Sequence, residues 1–251
     1  KGEDYVVISA SLEKMQNASQ TSPTQKTYPE YSRLVRTDAN GNETITMSML
    51  MGMDDPNNDR DPMTSSEYEA ADFRKILDSL TTELGFRAEA PWKPISIRNY
   101  IKQPKSKVDQ ADLGYVKEVT KEYLRNGKKL TFLIRMFFGA TGINEKSSSF
   151  HYFFRNALEH HSVLLYTGHS GLGGHLNLRS IERLEDFKIR FNPNEYQIYF
   201  FNSCSSFTYY NTMYFARKAT TQDPFGTKSL DILNNGLETF SNSSVNSNLA
   251  I

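Results

Sequence analysis

The chain has 251 residues, which is enough to bury the core of one large domain. Its 29 acidic and 29 basic side chains balance, so no overall field draws it toward nucleic acid or an anionic membrane. A single cysteine excludes an intrachain disulfide, and no apolar run approaches the roughly 20 residues that a bilayer span needs.

The start of the chain bears on its compartment. It begins at Lys1 without an initiator methionine or a signal-like apolar stretch, which indicates a processed product. Its richness in Asn, Ser, Thr and Tyr is typical of exported proteins. We therefore expect a periplasmic or secreted protein from which an N-terminal segment has been removed.

Residues 1–43 are predicted to add a strand, a polar loop and a hairpin arm to a main domain over 44–251. Asn40-Gly41, within the loop 38–42, is a strong hairpin signal. It predicts that the segment 31–37 pairs with the segment 43–50. The second of these segments is apolar enough to continue into the core.

Helices and strands are predicted to alternate from residue 44 onward. Helices are expected over 64–84, 112–126 and 150–160, and Gly85 and Gly127 are expected to end the first two. Besides the hairpin, apolar runs predict strands at 86–90 and 130–138 and two further strands that begin at Ser162 and Tyr196. This alternation predicts an α/β fold with a mainly parallel sheet.

The last two strands end abruptly in small polar residues. One runs into Gly168-His169-Ser170-Gly171, and the other runs into Asn202-Ser203-Cys204-Ser205-Ser206. Ligands of open α/β sheets bind outside the carboxyl ends of the strands. A thiolate that attacks an acyl carbon needs a proton shuttle nearby and backbone N–H donors for the oxyanion. The sequence therefore predicts a site built on Cys204 and His169, with oxyanion donors from the amides of Ser170 or Gly171 and of Cys204.

The order and spacing of these motifs resemble the caspase-like clan of cysteine peptidases, which includes caspases, metacaspases, gingipains and separases. Members carry a strand ending in His-Gly and a later strand ending in a small residue and Cys. The resemblance covers roughly residues 44–240, and Ser203-Cys204-Ser205-Ser206 is most similar to separases. It implies a three-layer α/β/α sandwich and an endopeptidase that acts on a peptide or protein without a cofactor. Cys204 would be its nucleophile and His169 its paired imidazole.

One position departs from the pattern of the clan, because Ser170 stands where the clan has glycine. If that position requires a positive φ, serine costs on the order of 1 kcal/mol there. A catalytically degenerate member that binds a peptide or protein partner therefore stays open. An interaction domain in which Cys204 is only packed in the core stays open as well.

Further side chains are candidates for the substrate cleft, namely Asp55, Asp59, His175, Asn202 and Ser205. An acidic loop also alternates like the ligands of a calcium ion, through Asp55, Asn57, Asp59 and Asp61. Arg60 occupies the place of the expected glycine, and no Glu follows at the twelfth position. A solvated loop is therefore favoured over a calcium site.

Two other chemistries fit the sequence less well. His160 and His161 together with His169 lack the spacing of a zinc site, so structural or surface roles are favoured. Gly168 to Leu172 approaches the G-x-S-x-G elbow of serine hydrolases around Ser170, but Leu172 replaces the last glycine. The triad histidine of that fold comes late in the chain, and no histidine follows His175.

Overall fold

The computed structural model describes residues 30–53, 61–88, 115–125, 127–141 and 149–237. The predictions for residues 1–29 and for the loop positions Asp55, Asn57 and Asp59 lie outside these ranges. Within them, no helix combines the length and the apolar character needed to cross a membrane.

The described chain contains eight strands and four α-helices. The strands are β1 (Arg36–Thr37), β2 (Glu43–Met53), β3 (Arg87–Ala88), β4 (Tyr115–Arg125), β5 (Lys128–Ala140), β6 (Val163–Thr167), β7 (Gln197–Asn202) and β8 (Leu230–Asn234). The helices are α1 (Tyr68–Asp78), α2 (Ser149–His160), α3 (Leu178–Glu185) and α4 (Ser206–Lys218). A 3-10 turn (Tyr31–Leu34) precedes β1, and a π-helical turn (Ser79–Glu83) extends α1.

These strands form one mixed, mostly parallel sheet in the order β3-β4-β5-β2-β6-β7-β8, and β1 pairs antiparallel with β2. β2 lies in the middle and runs parallel to β5 on one side and to β6 on the other. β7 continues the sheet parallel to β6, and β8 runs parallel to β7. Because the chain passes from β5 across to β6, the sheet has a topological switch point beside β2. The predicted α/β class with a mainly parallel sheet is confirmed.

The predicted helix over 112–126 is wrong, because its described residues form β4, antiparallel to β5. Val116 and Val119 are buried, and β-branched side chains pack well on a pleated surface. Arg125 pairs with Lys128, so the strands are joined by two residues only. Gly127 has a φ of 75°, as such a turn requires. Gly127 therefore belongs to a hairpin and not to a helix end.

The other described elements agree with prediction more closely. The hairpin at Asn40-Gly41 is confirmed, although its first strand covers Arg36–Thr37 alone. The first helix begins at Tyr68, later than expected, and its N-cap is Glu67, whose amide donates to Ser65 Oγ over 3.2 Å. The helix predicted over 150–160 is confirmed as α2.

Alternate side chains of the central strands enter two hydrophobic clusters. The first contains Leu50 and Tyr166 from the sheet together with residues of α2, α3 and α4. The second contains Met51 and Leu165 together with residues of α1. Each fully buried side chain of this size contributes about 1.5–3 kcal/mol, so these clusters hold β2 and β6 firmly in register.

Candidate functional site

The carboxyl ends of β6 and β7 lie level with each other. Thr167 pairs with Asn202, and the amide of Gly168 donates to the carbonyl of Asn202 over 3.4 Å. His169 follows Thr167 by two positions, and Cys204 follows Asn202 by two positions. Neighbouring strands are about 4.8 Å apart. The structure therefore places His169 and Cys204 just beyond the carboxyl ends of neighbouring strands.

Both residues are at least partly exposed to solvent. His169 is exposed, and Cys204 is half-buried. A thiol that only fills a core is normally fully buried, whereas a reactive thiol lies in a partly exposed position. The exposure of Cys204 therefore favours a reactive role over simple packing.

The turn after β7 is strained at Ser205, the residue that follows Cys204. Ser205 adopts a left-handed conformation, with φ 49° and ψ 28°, and α4 begins at the next residue. For a residue with a Cβ this conformation costs roughly 1–2 kcal/mol, and such strain collects at functional sites. The Ser205 amide donates to the carbonyl of Leu237 over 3.1 Å, which fixes the turn against the chain that leaves β8.

A network of hydrogen bonds joins the ends of β6, β7 and β8 below this turn. Asn202 Nδ2 donates to Thr167 Oγ1 over 3.2 Å, and Asn235 Nδ2 donates to Asn202 Oδ1 over 2.8 Å. Ser206 Oγ donates to the Phe201 carbonyl over 2.7 Å and accepts from the Asn235 amide over 2.9 Å. The predicted cleft residue Asn202 therefore ties neighbouring strands together at the site.

The loop after β6 is fixed through the backbone of His169. Tyr166 Oη donates to the His169 carbonyl over 2.6 Å, and His175 Nδ1 lies 3.0 Å from the same oxygen. Because a carbonyl can only accept, His175 Nδ1 carries its proton in this contact. Gly168 has a φ of 149°, which favours glycine. His175, predicted for the cleft, therefore supports the loop that carries His169.

The backbone of Ser170 does not have the positive φ that would disfavour serine at this position. Positive φ among the described non-glycine residues occurs at Leu172, Asp186 and Ser205, and not at Ser170. Gly171 carries the positive φ instead, at 54°, and a Cβ there would lie 2.4 Å from the His175 ring. The need for glycine therefore falls one position later than the pattern of the clan places it.

The other predicted histidines do not join the site. His161 is buried; its Nδ1 contacts Ser48 Oγ, and its Nε2 lies 2.8 Å from Arg135 Nη1. Burial, and then the charge of Arg135, holds the pKa of His161 well below its ordinary value of 6.5. His160 is 64% exposed at the end of α2. In the described ranges, no three His, Cys, Asp or Glu residues are grouped as metal ligands.

Exposed apolar side chains follow the two strand-end motifs and β8 closely in sequence, and the sequence patterns did not predict their exposure. Leu172 is 88% exposed, Phe207 is 61% exposed and Leu237 is 65% exposed. Leu172 follows His169 by three positions, and Phe207 follows Cys204 by three positions. Large apolar groups near a strand-end cleft are a feature of surfaces that bind peptides or proteins. In the sequence, the only signal of these groups was that Leu172 and Phe207 each follow a proposed site residue by three positions.

Comparison with known proteins does not identify a family for this chain. No protein-family model matches the chain, and no curated protein matches it. The functional interpretation therefore depends on the motifs and on the geometry of the strand ends.

Proposed function

We propose that this protein is a cysteine endopeptidase of caspase-like type, with Cys204 as nucleophile and His169 as proton carrier. The observation that carries the proposal is the level ending of β6 and β7, each followed after two positions by one of these residues. The strand order supports the same fold, because β6 and β7 are the first two strands on one side of central β2. The separate clusters of α1 and of α2, α3 and α4 are consistent with three layers.

The reaction follows from the chemistry of a thiol and an imidazole. His169 takes the proton of Cys204, and the thiolate attacks the carbonyl carbon of the scissile peptide bond. The backbone amides of Ser170 or Gly171 and of Cys204 hold the oxyanion. His169 then gives its proton to the leaving amine as the C–N bond breaks, which leaves a thioester. Water, deprotonated by His169, hydrolyses the thioester and releases a carboxylate, and the thiol is restored.

The surroundings of the pair suit a polypeptide substrate. Leu172 and Phe207 expose apolar side chains shortly after His169 and Cys204. Apolar side chains of a bound chain can be covered by these groups, and each buried methylene contributes about 0.8 kcal/mol. The reaction itself needs no metal or cofactor.

The same exposed groups support a second candidate, a catalytically degenerate domain of this fold that binds a peptide or protein partner. Apolar contacts of Leu172 and Phe207 retain a chain whether or not cleavage follows. Chemistry at Cys204 separates the two candidates.

The test is cleavage of a peptide library, followed by mass spectrometry, with and without prior limited proteolysis of the protein. The proposal predicts that Cys204→Ala and His169→Ala each reduce cleavage by at least about 10³-fold. His160→Ala is the matched control, because His160 lies at the far end of α2 and is exposed; it should retain full cleavage. Cleavage that survives Cys204→Ala overturns the proposal. Peptide binding without cleavage by the native protein supports the degenerate domain instead.

A further inference from the structure

A groove of about 900 Å³ is lined by residues of α2, α3, α4 and the segment between α3 and β7. We call it the basic groove, because its lining includes Arg155, Arg179, Arg183, Lys188, Arg190 and Arg217. The described lining contains two carboxylates, Glu182 and Asp186. The chain as a whole carries no net charge, so this excess of positive charge is a local feature.

Part of the positive charge is balanced within the protein. Glu182 accepts from Arg217 Nη1 over 3.0 Å and from Nη2 over 2.9 Å, and it lies 3.6 Å from Lys188 Nζ. Arg155 Nε pairs with Glu159 over 3.1 Å, and its guanidinium lies 4.6 Å from the centre of the Phe187 ring. These contacts give the groove a rigid wall.

Three further guanidinium groups are left for a ligand. Arg179, Arg183 and Arg190 are exposed, and their side chains form no ion pair or hydrogen bond with any residue in the described ranges. Cations held close together repel one another and attract anions from solution. Guanidinium groups bind phosphate oxygens in pairs, with stronger hydrogen bonds than neutral groups make.

We propose that the basic groove binds a small polyanion that carries two or more phosphate groups. Its volume lies in the range of about 300–1,000 Å³ that small-molecule sites occupy. Arg217 lies near the end of α4, whereas Cys204 precedes its start at Ser206. A helix rises about 1.5 Å per residue, so the groove is about 16 Å along α4 from the Cys204 turn. The basic groove therefore lies apart from the proposed peptidase site.

The experiment is calorimetric titration of the full chain with tripolyphosphate at fixed ionic strength, with ATP as a parallel ligand. The proposal predicts saturable one-to-one binding of tripolyphosphate. Tighter binding of ATP identifies a nucleotide as the source of the phosphates, and equal affinity identifies the phosphate chain alone. The Arg183→Gln/Arg190→Gln variant should bind about 100-fold more weakly, which is tenfold, or about 1.4 kcal/mol, for each arginine.

Arg87→Gln is the matched control, because Arg87 is 75% exposed on the edge strand β3 and does not line the groove. It should bind within about twofold of the native protein, because exposed charges more than about 8–10 Å away are screened by salt. Circular dichroism verifies that each variant is folded. Absence of saturable binding, unchanged affinity in the double variant, or an equal loss in Arg87→Gln overturns the proposal.

Discussion

Gly168→Ala tests how the backbone before His169 is held. Gly168 has a φ of 149°, and an added Cβ would lie 2.9 Å from Tyr166 Oη and 3.3 Å from Gly52 Cα. The backbone strain costs about 1–3 kcal/mol, and the crowding of a packed site costs about 1–3 kcal/mol more. We therefore expect Gly168→Ala to reduce the free energy of unfolding by about 2–6 kcal/mol, as measured by urea denaturation.

Substitutions at two other glycines separate the cost of backbone strain from the cost of crowding by the added Cβ. Gly41 has a φ of 80°, and an added Cβ would meet no described atom within 4 Å, so Gly41→Ala carries strain alone. It should cost about 1–2 kcal/mol. Gly236 has neither a positive φ nor a described neighbour within 4 Å of the added Cβ, so Gly236→Ala should change stability by less than about 0.5 kcal/mol. If Gly168→Ala costs no more than Gly41→Ala, the packing argument at the site is refuted.

Two further predictions concern stability. Ser206→Ala should cost about 1–3 kcal/mol by urea denaturation, because the Phe201 carbonyl and the Asn235 amide lose their partner. Thr208→Ala, on the exposed side of the same turn of α4, should cost less than about 0.5 kcal/mol. Equal losses of stability in Ser206→Ala and Thr208→Ala would contradict a stabilising role of the hydrogen-bond network. Burial holds the pKa of folded His161 well below 6.5, whereas the unfolded chain binds a proton near that pH, so stability should fall as the pH decreases below 6.5. This group contributes a slope of at most about 1.4 kcal/mol per pH unit, and a slope unchanged in His161→Asn contradicts its role.

Two of the three Asn-Gly dipeptides, at 40–41 and 126–127, show where sequence reasoning worked and where it did not. At Asn40-Gly41 the flanking segments alternate, and the predicted hairpin is present. At 126–127 the same signal follows a segment whose apolar spacing also fits a helix. Pairing with β5 determines that this segment forms a strand, because Val116 and Val119 become buried in the sheet. Such tertiary pairing overrides local preference and cannot be seen from one segment alone.

The candidate site was predictable in part. Apolar strands that end in small residues gave the positions of His169 and Cys204 on the sheet edge. The supporting contacts were not predictable, because they join residues distant in sequence. Asn235 meets Ser206 across 29 positions, and a positive φ occurs at Gly171 and not at Ser170.

The most direct measurement of the central claim is the rate at which iodoacetamide labels Cys204 across pH, in the native protein and in His169→Ala. An ordinary cysteine ionises near pH 8.5. A coupled pair predicts fast labelling of the native protein at neutral pH and slower labelling of His169→Ala. Identical profiles in the two proteins contradict the pair. Negligible labelling before denaturation, persisting after limited proteolysis, contradicts a peptidase site at Cys204.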